Sequence, residues 1–220
     1  MCIRDSAAGF AVEGGAIAAS GRSADDLRAE AVAVASAADV AVVFLGLPAA
    51  EESEGFDREH IDLPAAQLEV LDAVIAANPT TVVVLSNGGV VALPFAERVP
   101  AIVETWLLGQ AGGGAVADVL YGAVNPSGKL TETVPVRLED NPSFGSFPGE
   151  FGHVRYGEGV LVGYRWYDAK GLDVTFPFGY GLSYTTFSYG ESSVAASESG
   201  DILVRVDVTN TGLSLIHISE

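Results

Sequence analysis

The sequence predicts an α/β fold: an α/β sandwich with a largely parallel sheet and helices on both faces, followed by the truncated start of an all-β sandwich module. Three observations carry this. Apolar runs at Val40–Leu45, Thr81–Leu85 and Ala101–Leu107 have the length and composition of strands in a parallel sheet. Stretches of helical spacing lie between and around them. From Phe187 the texture changes to alternation, as in Ile202-Leu203-Val204-Arg205-Val206-Asp207-Val208.

Taken in order, Asp25–Ala38 is expected to be helical. Leu27, Ala31, Val34 and Ala38 recur at helical spacing, and Ser23 with Asp26 three residues on suits an N-cap. Val40–Leu45 is expected as a strand buried on both faces. Gly46–Ile61 reads as a loop with a dense acidic cluster. Pro64 takes the favoured first helical position, Leu68, Leu71 and Ile75 form the apolar stripe, and Asn78-Pro79 stops the helix. Thr81–Leu85 and Ala101–Leu107 are the next buried strands, with a short helix between them. Gly113–Tyr121 is a third helix, closed by Gly122. This order of strands and helices is flavodoxin-like, and it stops near Pro126. Residues 138–187 are rich in Gly, Pro and aromatics without a long helical stripe, so an extended strap is expected there.

The two ends differ from the rest. Met1–Ser6 (MCIRDS) and Leu213–Glu220 (LSLIHISE) hold the only Cys, the only Met and one of the three His. They resemble translated sequencing-adapter read-through and are set aside from fold reasoning. The expected domains are then 7–187 for the sandwich, N-terminally incomplete and with 138–187 as its strap, and 188–212 for the start of the β module. On that reading Ala7–Gly212 is an internal slice of a longer protein.

Composition excludes several functions. The 220 residues are 49% hydrophobic, ample for a packed core. Lys+Arg number 11 against 29 Asp+Glu, a net charge of −18, which repels nucleic-acid phosphates and anionic membrane surfaces. Neither nucleic acid nor membrane is an expected partner, and no apolar run approaches the roughly 18–20 residues that span a bilayer. One cysteine permits no intrachain disulfide, and with three histidines leaves little for a structural zinc site. No metal and no cofactor is expected. The lack of cysteine in Ala7–Gly212 tilts toward the cytoplasm without excluding export.

In open parallel sheets, ligands bind outside the carboxyl ends of the strands. The loop after Val40–Leu45 reads Glu51-Glu52-Ser53-Glu54-Gly55-Phe56-Asp57-Arg58-Glu59, five carboxylates in nine residues with one cation. Crowded like charges oppose ionisation, and a carboxyl kept protonated near neutrality is what a general acid needs. Arg58 can pair Asp57 or a neighbour and hold the loop. A solvated acidic surface loop is the plainer alternative.

Four motifs in one order bear on that choice. Glu54-Gly55-Phe56-Asp57-Arg58 with Asp62-Leu63-Pro64-Ala65-Ala66-Gln67 resembles the E-G-[FY]-D-R…L-P…Q signature of glycoside hydrolase family 3, the β-glucosidase family. Asn125-Pro126-Ser127-Gly128-Lys129-Leu130 is similar to its N-P-S-G-K-L. Val162-Gly163-Tyr164-Arg165-Trp166-Tyr167-Asp168 is similar to its V-G-Y-R-[WY]-Y-D. Phe176–Phe187 is similar to the F-P-F-G-[YH]-G-L-S-Y-T-x-F run that ends its second domain.

The resemblance implies a retaining β-glycosidase, with a small oligosaccharide or β-glycoside as substrate. In that family a TIM-barrel domain carries an aspartate nucleophile, the α/β sandwich supplies the acid/base, and a fibronectin type III-like module often follows. This chain resembles the sandwich and the first strands of that module. The family's own barrel, outside this chain, is the implied intramolecular partner, and a fragment without it is expected to be inactive. By position before Gly-aromatic-Asp-Arg, Glu54 is the implied general acid/base, with Glu52 as the reserve. Asp57 and Arg58 are expected to support the loop or contact substrate. Members of the family often dimerise, so a homodimer is a further expectation. A non-catalytic carbohydrate-binding or scaffold domain of the same fold is the alternative.

Other conspicuous residues have structural readings. Gly112-Gly113-Gly114-Ala115-Val116-Ala117 fits a weak dinucleotide fingerprint, but no acidic residue follows about 20 positions on. His60 and His153 are too far apart for a local ligand pair. Trp106 is expected in the core, late in a buried strand. Tyr164, Trp166 and Tyr167 suit aromatic packing better than sugar stacking. Ser86-Asn87-Gly88-Gly89 reads as a turn at a strand's carboxyl end, where it can line the same crevice. Lys129 and Arg165 are expected to pair acidic neighbours.

Overall fold

The computed structural model describes residues 5–12 and 20–212. The atypical stretches Met1–Ser6 and Leu213–Glu220 therefore lie outside the described residues, except for Asp5 and Ser6. Two compact units emerge. One runs to Gly109 and resumes over Thr131–Gly179; the other holds Gln110–Leu130 and begins again at Tyr180.

In the first unit the chain forms helix α1 (Ala24–Ser36), strand β1 (Ala41–Gly46), helix α2 (Ala65–Ala77), strand β2 (Thr81–Ser86) and strand β3 (Ala101–Glu104). A 3-10 turn at Ala96–Arg98 precedes β3. The strands make a parallel sheet in the order β1-β2-β3, with Ala41 opposite Thr81 and Val82 opposite Ala101. The fold is α/β, as the sequence predicts.

Local chemistry accounts for the boundaries. Ser23 caps α1, its hydroxyl accepting the Asp26 N–H at 3.1 Å. Pro64 stands just before α2, at the N-cap. Asn78 ends α2, and its buried amide donates to the carbonyls of Ala35 and Ala38, both at 2.9 Å. One side chain thus stops one helix and satisfies the end of another.

Burial departs from expectation in two places. Only central β2 is covered on both faces, with Val83, Val84 and Leu85 all buried. In β1, Val42 and Phe44 remain exposed at 41% and 58%, because β1 is an edge strand and α2 covers only its Ala41 and Leu45 side. The buried stripe of α2 is Gln67, Val70, Leu71 and Val74 rather than Leu68, Leu71 and Ile75. This helix is apolar nearly all round, so spacing alone does not select its inner face. Val70 and Val74 meet Ala35 and Ala41 in one cluster, with Ala31 and Val43 against it. Each buried aliphatic side chain of this kind contributes roughly 1.5–3 kcal/mol.

Gln67 is buried for a specific reason. Its amide bridges the end of β1, accepting the Gly46 N–H at 3.0 Å and donating to the Gly46 carbonyl at 2.7 Å. The side chain thereby completes the hydrogen bonding of the last strand residue.

The expected strap is not wholly extended. Helix α3 comes first in the chain and belongs to the second unit (Gly112–Leu120). Strand β4 (Val134–Pro135) pairs antiparallel with β5 (Val174–Phe176), and helix α4 spans Tyr164–Lys170 between them. Seven residues are too few to leave a helical stripe in the sequence. The aromatics pack locally: Tyr167 is buried, Tyr164 stacks on Phe178 at 5.0 Å, and the Trp166 indole N–H donates to the Asp140 carbonyl at 3.1 Å. Arg165 lies over the Tyr164 ring rather than against a carboxylate.

In the second unit, two motifs meet. The Asn125 amide donates to Ser183 Oγ at 2.9 Å, and its oxygen accepts the Tyr184 N–H at 2.8 Å. Leu130 N–H donates to the Tyr180 carbonyl, and the Lys129 ammonium to that of Gly181, not to an acidic neighbour. Four short strands follow: β6 (Phe187–Tyr189), β7 (Ser193–Ala196), β8 (Ile202–Arg205) and β9 (Val208–Asn210). They pair antiparallel as β6-β9 and β7-β8.

Candidate active site

The carboxyl ends of the three parallel strands carry loops that lock to one another. After β1, the N–H groups of Glu51 and Glu52 close a turn on the Pro48 carbonyl. Glu52 then reaches across to the loop after β2. Its carboxylate accepts the Gly88 N–H at 2.7 Å and the Gly89 N–H at 3.0 Å. Arg58 makes a second tie, donating from Nη2 to the Val90 carbonyl at 3.1 Å. A third follows where the Ala92 N–H donates to the Ile61 carbonyl at 2.7 Å. Arg58 therefore holds the loop through a carbonyl, and not through Asp57.

Between Glu52 and Arg58 the chain stands clear. Ser53, Glu54, Gly55, Phe56 and Asp57 are all exposed. Gly55 turns the chain at φ +98°, a conformation that side chains resist. Among the described residues, the Glu54 carboxylate accepts no hydrogen bond and joins no ion pair. Asp57 likewise points to solvent. The structure thus brings Glu52 and Arg58 to the rim and leaves Glu54 and Asp57 on the open tip. His60 is exposed in the same loop, and His153 lies in a separate turn with Glu150.

The rim extends through Asn87, in the turn the sequence places at this crevice, and through Glu104, which the sequence did not single out. Asn87 is fully buried, and its amide donates to the Gly89 carbonyl at 2.9 Å and to Glu104 Oε2 at 3.3 Å. Glu104 Oε1 accepts the Trp106 N–H at 2.8 Å. This bond ends β3 at Glu104, short of the expected Leu107, and Trp106 takes φ +53° beyond the strand instead of entering the core. Burial pushes the Glu104 carboxyl up from its ordinary value. The Trp106 N–H, the Asn87 amide and the Thr105 N–H oppose this, while the Glu52 charge adds to it. The signal was present: Glu104 is the lone acid in the apolar run Ala101–Leu107.

Three buried side-chain atoms lack a hydrogen-bond partner among the described residues: Glu51 Oε2, Arg58 Nη1 and Asn87 Oδ1. All belong to this rim. An unpaired buried polar atom costs about 1–3 kcal/mol, so their concentration at one edge sets it apart from the packed core. Among the described residues no group of three or more His, Cys, Asp or Glu is placed to hold a metal ion.

Comparison with known proteins gives this rim its context. Residues 5–184 match the glycosyl hydrolase family 3 C-terminal domain. The chain is 54% identical over 186 residues to an exo-alpha-(1->6)-L-arabinopyranosidase of Bifidobacterium breve, covering 84% of this chain and 25% of that protein. It is 52% identical over 191 residues to thermostable beta-glucosidase B of Acetivibrio thermocellus, covering 86% and 25%. The crystal structure of a Bifidobacterium adolescentis GH3 beta-glucosidase superposes with a TM-score of 0.84 at 52% identity, over 93% of this chain and 30% of that one. The chain spans about a quarter of the length of the relatives it matches.

Proposed function

The chain belongs to glycoside hydrolase family 3, and on that premise we propose that it is the acid/base-bearing part of a retaining β-glycosidase of the β-glucosidase type. The carrying observation is the disposition of the acidic loop. It projects from the carboxyl rim of the sheet, tied down on both sides, with Glu54 free at its tip. A group that must lend a proton to a departing oxygen needs to reach outward; Glu54 and Asp57 both do so, and the position of Glu54 before Gly-aromatic-Asp-Arg supports Glu54.

The reaction divides between two parts. A nucleophile outside this chain, in a TIM-barrel domain, attacks the anomeric carbon of a terminal β-glycosyl residue. Glu54 gives its proton to the glycosidic oxygen as that bond breaks, and the aglycone leaves as an alcohol. Water then adds to the glycosyl-enzyme while the Glu54 carboxylate takes its proton, releasing the sugar and restoring both carboxyl groups. Retaining enzymes hold the two groups about 5–5.5 Å apart. While the nucleophile is charged it raises the proton affinity of the acid, and once it is esterified that push disappears.

The sugar is set elsewhere. Relatives of similar identity are named for β-glucosides and for α-L-arabinopyranosides. Both glycosides carry an equatorial anomeric bond, so one placement of the acid serves either. The reading is tested by replacing Glu54 in the enzyme that carries this chain and comparing glycosides with good and poor leaving groups. Good leaving groups depart with little protonation, and azide can replace water without a general base, giving a glycosyl azide.

A further inference from the structure

We propose that Glu52 is a positioning residue: it clamps the acidic loop onto the Gly88-Gly89 backbone and so aims Glu54. This rests on the reading of Glu54 as acid/base. The two acids are two residues apart, yet the structure places them oppositely. Both oxygens of Glu52 are occupied by backbone N–H groups, at 2.7 and 3.0 Å. Those of Glu54 are bonded to nothing among the described residues. Charge-assisted bonds of this sort are shorter and stronger than neutral ones, and paired donors fix direction as well as distance.

The receiving loop is shaped for the carboxylate. A Cβ added at Gly88 would stand 3.0 Å from Glu52 Oε1, and one at Gly89 would stand 3.0 Å from Arg58 Nη2 and 4.0 Å from Glu52 Oε1. Two consecutive glycines therefore leave the space that Glu52 and Arg58 fill. Behind them, Asn87 Nδ2 holds the Gly89 carbonyl at 2.9 Å and so orients the same peptide. The five residues Ser53–Asp57 are pinned at both ends, by Glu52 and by Arg58. Releasing one pin frees the tip, and a misplacement of about 1 Å can cost 10²-fold in rate.

The test uses two readouts. Hydrogen exchange at the Gly88 and Gly89 amides is measured in this chain and in its Glu52→Ala and Glu52→Gln variants, the second keeping side-chain volume. Exchange at least about 10-fold faster in both variants, with the rest of the sheet unchanged, is expected. In the enzyme that carries this chain, the same substitutions should lower kcat/KM by about 10²-fold for poor leaving groups, leave the best leaving groups near the parent's rate, and add nothing when combined with Glu54→Ala. Unchanged amide exchange, parental turnover of poor leaving groups, a loss shared equally by good and poor leaving groups, or a further loss in the double variant with Glu54→Ala each overturns the proposal. Failure of the Glu54 reading shows separately, as a Glu54→Ala variant without leaving-group dependence, and the amide exchange then still reports whether the clamp exists.

Discussion

Glu52 and Gly88 are 36 residues apart in sequence and joined by a hydrogen bond of 2.7 Å between carboxylate and backbone N–H. The bond joins the loops that follow β1 and β2, Glu52 lying six residues beyond β1 and Gly88 two beyond β2. Everything at the rim depends on how the last residues of the two strands are held.

Gly46 is the tightest point of the register between these strands. A Cβ there would approach the Ser86 carbonyl oxygen to 2.3 Å, and that oxygen belongs to the backbone and cannot swing aside. The Gly46 peptide is also gripped by Gln67. Gly46→Ala should destabilise this chain by about 1–3 kcal/mol, read as a lowered denaturant midpoint at unchanged slope. A variant as stable as the parent means the strand ends are not so closely apposed.

Glu104 sets a pH dependence. Its folded carboxyl sits above the ordinary value of 4.5, with burial the largest cause. Between the unfolded and the folded pKa the native state holds more protons than the unfolded state, so stability falls as pH rises. Glu104→Gln removes that slope. The parent should therefore lose stability relative to the variant as pH rises from about 4.5, levelling once Glu104 is ionised in the fold. Thermal unfolding of the two proteins side by side measures it, and a difference independent of pH rejects it.

The chain alone should not hydrolyse glycosides, because the proposed nucleophile lies in a barrel domain outside it. Incubation of residues 7–212 with an aryl β-glucoside should release aglycone no faster than buffer. Turnover above that background, abolished by Glu54→Ala, shows that a second carboxylate within the chain completes the reaction.

Much of the frame was legible in the sequence. The apolar runs gave the three strands, Ser23 gave the start of α1, and Asn78-Pro79 gave the end of α2. These features are local, set by spacing or by a residue's own hydrogen-bonding habit. What escaped depends on distant partners. The inner face of α2 is chosen by where β1 lies, and the strand Ala101–Glu104 is cut short by a bond between Glu104 and Trp106. Gln67 looks like an ordinary helix residue until its amide is seen to bridge Gly46. At the rim, the acidic loop stood out by its five carboxylates and the motif pointed to Glu54 with Glu52 in reserve, but the backbone partners of Glu52 were not legible. Glu52 is half-buried and meets two glycines of the loop after β2, a partner distant in sequence, while Glu54 is exposed.

The most direct measurement is the leaving-group dependence of the Glu54→Ala enzyme. With aryl glycosides of graded leaving-group acidity, kcat/KM should stay near the parent's for the most acidic phenols. It should fall by about 10²–10⁴-fold for alkyl and oligosaccharide leaving groups. Azide should restore turnover of the activated substrates, with a glycosyl azide as product. A variant that keeps the parent's rate on poor leaving groups, or loses all substrates by one common factor without azide rescue, assigns the proton to another residue.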